Sequence, residues 1–350
     1  MGLSTDQLTR GADYALKARE GRDPIDQINV KHVTLDWLVA NKKESLFTGG
    51  EFKQPLYISN DSNFQRYFGA DQVSFNQRDP VRWTGFAWAD AFEGFWLDED
   101  TLLMNGIRVS DDSSSAPTID EKNQLINLLD TNYTAVKRSW QQNLAYDTLR
   151  TGSISKSCPG IQHIVQKLAV DWATNGNTVG GIASATTTYW RNQVNTGITG
   201  SGIVAAMETT WQACMLYGGK LPTKIVAGRA FIDNYRTYAQ VTINRQVNDG
   251  GNAKGGASLD PSVANLYFHG IPVEWDPTID ELGTADSDAT LTKTCYFLND
   301  ALVLRPVKGE WMRERKAVRP HDRFVHYFGR TGKWGMTTDQ RNALAVLSIS

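Results

Sequence analysis

TIDEKNQLINLLDTNYTAVKRSWQQNLAYDTLRTG, residues 118–152, is the stretch on which the reading of the fold turns. Thr118-Ile119-Asp120-Glu121 has the form of a capping box, with Thr118 as N-cap and Glu121 at N3. Apolar residues follow at Leu125, Leu129, Tyr133, Val136, Trp140 and Leu144, spaced by four and three, which is one stripe of a single helix. Gly152 is its natural stop. The spacing predicts one helix over 119–151, a rod of about 48 Å at ~1.5 Å per residue. That is well beyond the average globular helix of about 11–12 residues. A rod of this kind crosses a whole subunit.

Upstream, RWTGFAWADAFEGFWL (82–97) sets six aromatic rings in sixteen positions. On strand alternation Phe86 and Trp88 share a face, which Asp90 and Phe92 continue. KQPLYIS (53–59) reads as the partner strand of a long hairpin, and NDSNFQRYFGADQVSFNQRDP (60–80) as its wide polar tip. A lone two-stranded ribbon is marginal in water, so it must lie on something. Six rings carry on the order of 1,000 Å², whereas a monomer seldom exposes an apolar patch beyond about 300–600 Å². The rings are therefore expected to be covered, either by the chain's own core, as for Phe95 and Trp96 near the base, or by another molecule.

Downstream, TVGGIASATTTYWRNQV (178–194) has Thr-rich strand character, and a helix fits Ile203 to Leu216. LPTKIVAG (221–228) reads as a short buried strand, followed by a helix from Arg229 to about Val241. VNDGGNAKGGASLDP (247–261) is a Gly-rich loop. The remainder reads as strands: NLYFHGIPVEWDP, KTCYFLNDALVLRP, RFVHYFGRTGKWGM and ALAVLSIS. Helices and strands do not alternate regularly, which makes the class α+β.

Composition narrows function mostly by exclusion. The chain has 350 residues, 41% hydrophobic and 21% charged, with a formal charge of −2. That is globular rather than disordered, with no general attraction to nucleic acid or membrane surfaces. Eleven tryptophans favour extensive contact surfaces. The longest apolar runs, such as Ala343–Leu347, are far too short to span a bilayer, and the N-terminus has no apolar signal region. Cys158, Cys214 and Cys295 lie far apart with no CxxC and read as reduced thiols.

Catalytic signatures are sparse. Gly200-Ser201-Gly202-Ile203-Val204-Ala205 is a GxGxxA before a helix, but the segment before it is polar and the strand after it, Lys224–Gly228, carries no acid. It reads as glycines in a helix-entry loop, with a nucleotide-binding enzyme as the distant alternative. There is no P-loop and no GxSxG. His321 and His326 fall on opposite strand faces, and His163 near Cys158 has no second ligand pair, so no metal site is expected. Asp98-Glu99-Asp100 reads as a solvated turn or ion-pair partner at a strand end. Arg313-Glu314-Arg315-Lys316 with Arg319 reads as a solvated strand face or intersubunit pairing surface, with contact to packaged DNA as the alternative. No cofactor and no enzymatic activity are expected.

The order of these elements resembles the major capsid proteins of tailed double-stranded DNA bacteriophages, the Hong Kong 97 fold, from about residue 50 to the end. Four stretches carry the likeness: EFKQPLYIS through FEGFWLDEDTLLMNG as the extended hairpin (E-loop); NQLINLLDTNYTAVKRSWQQNLAYDTLRTG as the spine helix, followed by GIQHIV; TVGG through Tyr189-Trp190-Arg191; and NLYFHGIPVEWDPTI with TCYFLND as late strands. The resemblance implies an N-terminal arm (1–50), the hairpin (51–110), a peripheral domain (111–175) with its spine helix, an axial domain (176–292) and late strands of the peripheral domain (293–350). It implies that Trp83, Phe86, Trp88 and Phe92 are covered by a neighbouring subunit. It also implies that the loop bearing Gly250, Gly251, Gly255 and Gly256 faces the capsomer axis.

The function so implied is a structural one: self-assembly into hexamers and pentamers of an icosahedral head around non-specifically packaged double-stranded DNA. The protein would be a virion component assembled in the host bacterial cytoplasm, with a portal and a decoration protein as further partners and no membrane. Only about 50 residues precede the hairpin, so scaffolding is expected from a separate protein in trans. No Lys stands between residues 54 and 104, and Lys53 sits at the hairpin base, so no Lys–Asn cross-link is expected. A tail-tube protein or an encapsulin-like shell is the alternative within the structural class.

Overall fold

The computed structural model describes residues 30–46, 49–57, 59–60, 62–104, 106–107, 119–167, 172–216, 220–247, 266–318, 320 and 323–350. Side chains are described outside 119–124, 126, 127 and 239–247. In chain order the strands are β1 (Glu51–Tyr57), β2 (Val81–Ala87), β3 (Ala89–Asp98), β4 (Thr178–Val179), β5 (Ile182–Ala183), β6 (Gln193–Ile198) and β7 (Lys224–Ala227). They continue with β8 (Tyr267–Phe268), β9 (Ile271–Trp275), β10 (Thr294–Leu298), β11 (Leu302–Pro306), β12 (Arg313–Val318), β13 (Val325–Thr338) and β14 (Ala345–Ile349). The chain is α+β and forms two compact units, one of 31–89, 145–308 and 334–350, the other drawing its described residues from 90–144 and 309–333.

The larger unit is built on a six-stranded mixed sheet in the order β6-β14-β10-β7-β9-β8. β14 runs parallel to β6 and β7 parallel to β9, while β10 lies antiparallel between β14 and β7. The parallel β7–β9 pair needs a crossover, and the helix Arg229–Val247 lies within it. One sheet face presents Ile225, Ala227, Cys295, Phe297, Ala345 and Leu347 to that helix and to the helix Ile203–Met215. The latter answers with Ile203, Met207, Trp211 and Cys214, a stripe at helical spacing. The opposite row, Val226, Tyr296, Leu298 and Val346, is equally buried, which is why β7, β10 and β14 read as continuous apolar runs.

Three local readings change with the structure. Residues 178–194 are not one strand: β4 and β5 form a minimal hairpin around Gly180 and Gly181, both with positive φ, before a 3-10 turn at Thr188–Trp190 and then β6. Residues 277–285, taken as strand-flanking coil, form the helix Pro277–Ala285. Asp276 caps it by accepting from Thr278 N at 3.0 Å, and Pro277 occupies the first turn. Asp276 is fully buried and also accepts from Thr34, so this cap pins the short helix Val33–Ala40 to the unit. The helix beginning at Arg229 runs on to Val247, past the expected end near Val241.

The long helix spans Ile119–Leu149 in 31 residues. Thr118 lies outside the described residues, and Glu121 sits in the helix without a described side chain, so the capping box is not displayed. At the other end Gly152 adopts φ +75°, and a Cβ there would come within 2.8 Å of Pro159 Cα, so the stop demands glycine.

In the smaller unit, Leu125, Leu128 and Leu129 of this helix pack with Leu97, Leu102 and Ile107. Phe95 stacks on Phe328 at 5.1 Å, and both rings meet Tyr133 of the helix edge-on. Burial, and secondarily Glu314, pushes the Tyr133 hydroxyl above its ordinary pKa.

Candidate intersubunit surface

The hairpin of β1 and β2 pairs Glu51 with Ala87 through to Tyr57 with Val81. Strand alternation then divides it into two faces. Phe52, Leu56, Thr84 and Phe86 point one way; Pro55, Tyr57, Val81 and Trp83 point the other. The first face is docked within its own unit. Gly85 N donates to Gly180 O at 3.0 Å, and Thr84 Oγ1 donates across the hairpin to Gln54 O at 3.0 Å. A Cβ on Gly180 would lie 3.0 Å from the Phe86 ring and 3.1 Å from Thr84, so the close seat depends on that glycine.

The seat is itself held by Arg341, which is fully buried. Its guanidinium donates to Ile164 O at 2.6 Å, to Trp190 O at 3.0 Å, to Asn177 Oδ1 at 2.8 Å and to Asn192 Oδ1 at 3.2 Å, and to Ser184 Oγ. Burial lowers its pKa to about 9, which still leaves it cationic at neutral pH. The segment 177–192, on which β2 rests, is thus tied to the entrance of β14.

The other face is open. Trp83 is 65% exposed and Tyr57 85%. Beyond them the tip loop turns out Phe64, Tyr67, Phe68 and Phe75, all at least 70% exposed. Its polar groups are occupied with one another: Ser74 N donates to Gln65 Oε1 at 3.1 Å, Phe68 N to Asp71 Oδ2 at 2.9 Å, and Asn63 Nδ2 to Ser74 O. The loop satisfies its backbone locally and leaves its rings outside. These tip aromatics were missed in the sequence because they sit without periodicity in a polar stretch. Four rings in a turn with no local core were the available signal.

The four hairpin residues singled out from sequence part company. Trp83 is open. Phe86, only 2% exposed, departs from the expectation of a neighbour's cover, because Gly180 and Thr84 already close over it. Trp88 is half-buried, edge-on to Phe52 at 6.3 Å, at the break between β2 and β3. Phe92, in the smaller unit, is 68% exposed with its ring lying over Gly329 of the paired strand β13. Trp96, expected near a core, is 60% exposed, while its neighbour Phe95 points inward. Gly250, Gly251, Gly255 and Gly256 lie outside the described residues.

The other candidates have structural roles. Gly200 has no room for a Cβ because the Tyr238 ring fills that space, so the GxGxxA turn is shaped by packing. β12 is exposed along its whole length; Arg313 and Arg315 pair with Glu310, and Arg330 pairs with Glu314. Arg319 and His321 lie outside the described residues; His326 approaches Glu99 at 3.5 Å. Glu99 and Asp100 open the short helix Glu99–Met104. Cys158, Cys214 and Cys295 are free and buried, and burial pushes the first two thiols up to about 12 and the third higher still. Among the described residues no group of His, Cys, Asp or Glu is placed to hold a metal, and no helix is long and apolar enough to cross a membrane.

No protein-family model matches the sequence, and no curated protein matches it. Solved structures match along almost the entire chain. The capsid asymmetric unit of cyanophage A-1(L) is 12% identical, with 93% of this chain and 94% of that chain covered and a TM-score of 0.62. A chain from Gordonia phage Cozz is 12% identical over 94% and 89%, at 0.54. The capsid of Myoviridae phage XM1 is 10% identical over 95% and 98%, also at 0.54. The chain has the fold of phage capsid proteins, of the Hong Kong 97 type.

Proposed function

We propose that this chain is the major capsid protein of a tailed phage, a structural protein whose copies form hexamers and pentamers of an icosahedral head around double-stranded DNA. The observation that carries the reading is mutual coverage above nine-tenths with capsid chains, together with a hairpin docked on one face and open on the other. Near-complete coverage means that little of this chain is left over to house an added catalytic domain. The open rings, Tyr57, Trp83 and the tip-loop aromatics, form a surface that water disfavours and a second copy can cover.

In this reading Trp83 and Phe92 meet neighbouring subunits, and residues 176–292 form the axial domain with their Gly-rich loop at the capsomer centre. Scaffolding is supplied in trans; a portal and a decoration protein complete the virion, which assembles in the host cytoplasm. The test is direct. The purified full chain is followed by light scattering across concentration and imaged by negative stain. Closed shells of uniform size are expected; a compact monomer at the highest attainable concentration overturns the reading.

A further inference from the structure

A groove opens where β1 enters the tip loop, lined among others by Tyr57, Asn60, Tyr189, Asp339 and Asn342. Its walls are two exposed phenol rings, Tyr57 at 85% and Tyr189 at 55%. At its floor Asn342 Oδ1 is buried and meets no donor among the described residues. Beside it stands Asp339, which shares Lys220 at 3.1 Å and remains partly exposed. A buried acceptor without a partner is costly, and the surrounding chemistry specifies what would satisfy it. The complementary group is a planar cation that lies between rings, donates to a carbonyl and faces a carboxylate. That describes a guanidinium better than an ammonium.

The chain carries such a group in the tip loop. Arg66 is exposed and has no ion pair or hydrogen bond among the described residues. It stands between Phe64 and Tyr67, 81% and 70% exposed. The other loop arginine, Arg78, is flanked instead by Gln77 and Asp79. In its own chain Arg66 does not reach the groove: the Gln65–Ser74 and Asn63–Ser74 hydrogen bonds fix the loop as a closed turn projecting from the hairpin.

Resting on the shell reading, we infer that the tip loop of one copy inserts into this groove of the next, with Arg66 set against Asp339 and Asn342 and the neighbouring rings against Tyr57 and Tyr189. Plug and socket are different surfaces of one chain, so the contact is head-to-tail and propagates around a ring.

The test uses two full-length chains, one carrying Arg66→Cys and one Thr188→Cys at the exposed position beside Tyr189, co-assembled and treated with a short bismaleimide. The native thiols are buried and stay silent. A dimer band on a denaturing gel is expected, absent from particles of either chain alone. Particles that form yet yield only monomer overturn the socket while leaving the shell reading intact. A link found only within a doubly substituted single chain assigns the groove to the chain's own loop and also overturns it. Wild-type protein that forms no particles brings down the shell reading and the socket with it. As a check without cysteines, Arg66→Ala raises the assembly threshold at least tenfold and Arg78→Ala does not; equal behaviour of the two overturns the assignment.

Discussion

Trp83 and Phe86 stand three positions apart on β2, and replacing each separates assembly from folding. Trp83 is 65% exposed in the single chain. Taking about 250 Å² for a tryptophan side chain, some 160 Å² is left for a neighbour to cover. At ~25 cal/mol per Å² this is an upper bound of about 4 kcal/mol per contact before ordering costs. Trp83→Ser should therefore raise the concentration needed for assembly by one to two orders of magnitude, while unfolding of the unassembled chain shifts by no more than about 0.5 kcal/mol. Phe86→Ala does the reverse. Its ring is 2% exposed against Gly180 and Thr84, and its loss leaves a cavity worth roughly 3–5 kcal/mol of folding stability. The threshold is read by static light scattering across a dilution series, and stability by urea unfolding of the unassembled chain. An unchanged threshold for Trp83→Ser refutes the claim that the open hairpin face is covered in the assembly. An unchanged midpoint for Phe86→Ala refutes the docked face.

Three further outcomes follow from the same structure. Arg341→Met strands Ile164 O, Trp190 O and the Asn177 carbonyl; even after relief of a buried charge the expected loss is about 3 kcal/mol. Arg341→Lys should not restore it, because one ammonium cannot reach five acceptors; thermal melts at matched concentration decide this. Gly200→Ala drives a methyl into the Tyr238 ring and should destabilise by about 1–3 kcal/mol, a penalty that shrinks when Tyr238 is also changed to Ala. The carboxyl of Asp147 is raised above its ordinary 3.8 by burial, partly offset by Arg150. Its charged form is thus the one the fold disfavours. Asp147→Asn should stabilise the protein at pH 7, and the advantage should fade as pH falls through the raised value toward 3.8. Denaturant midpoints that differ equally at both ends of that range would contradict it.

Much of the architecture was legible because its signals are local. The stripe from Leu125 to Leu144 foretold the long helix, and Gly152 its end, since only neighbours three and four residues apart are involved. β7, β10 and β14 showed themselves as short apolar runs. Asp276-Pro277 was an equally plain helix start that the surrounding strand-like residues obscured. The 178–194 stretch misled because its threonines suit a strand, while two positive-φ glycines in fact fold it into a turn.

The sequence alone determined that a long helix, an aromatic hairpin and buried strands occur in this order, and that the rings had to be covered. It could not say which rings the chain covers itself. Phe86 is inside because Gly180, far along the chain, has no side chain to hold it off, and because Arg341, near the C-terminus, keeps that glycine's hairpin in place. Trp83 is outside because the alternation of a strand, once one face is docked, leaves the other to solvent. Periodicity lists the faces of an element; only the arrival of a distant partner decides which of them is closed.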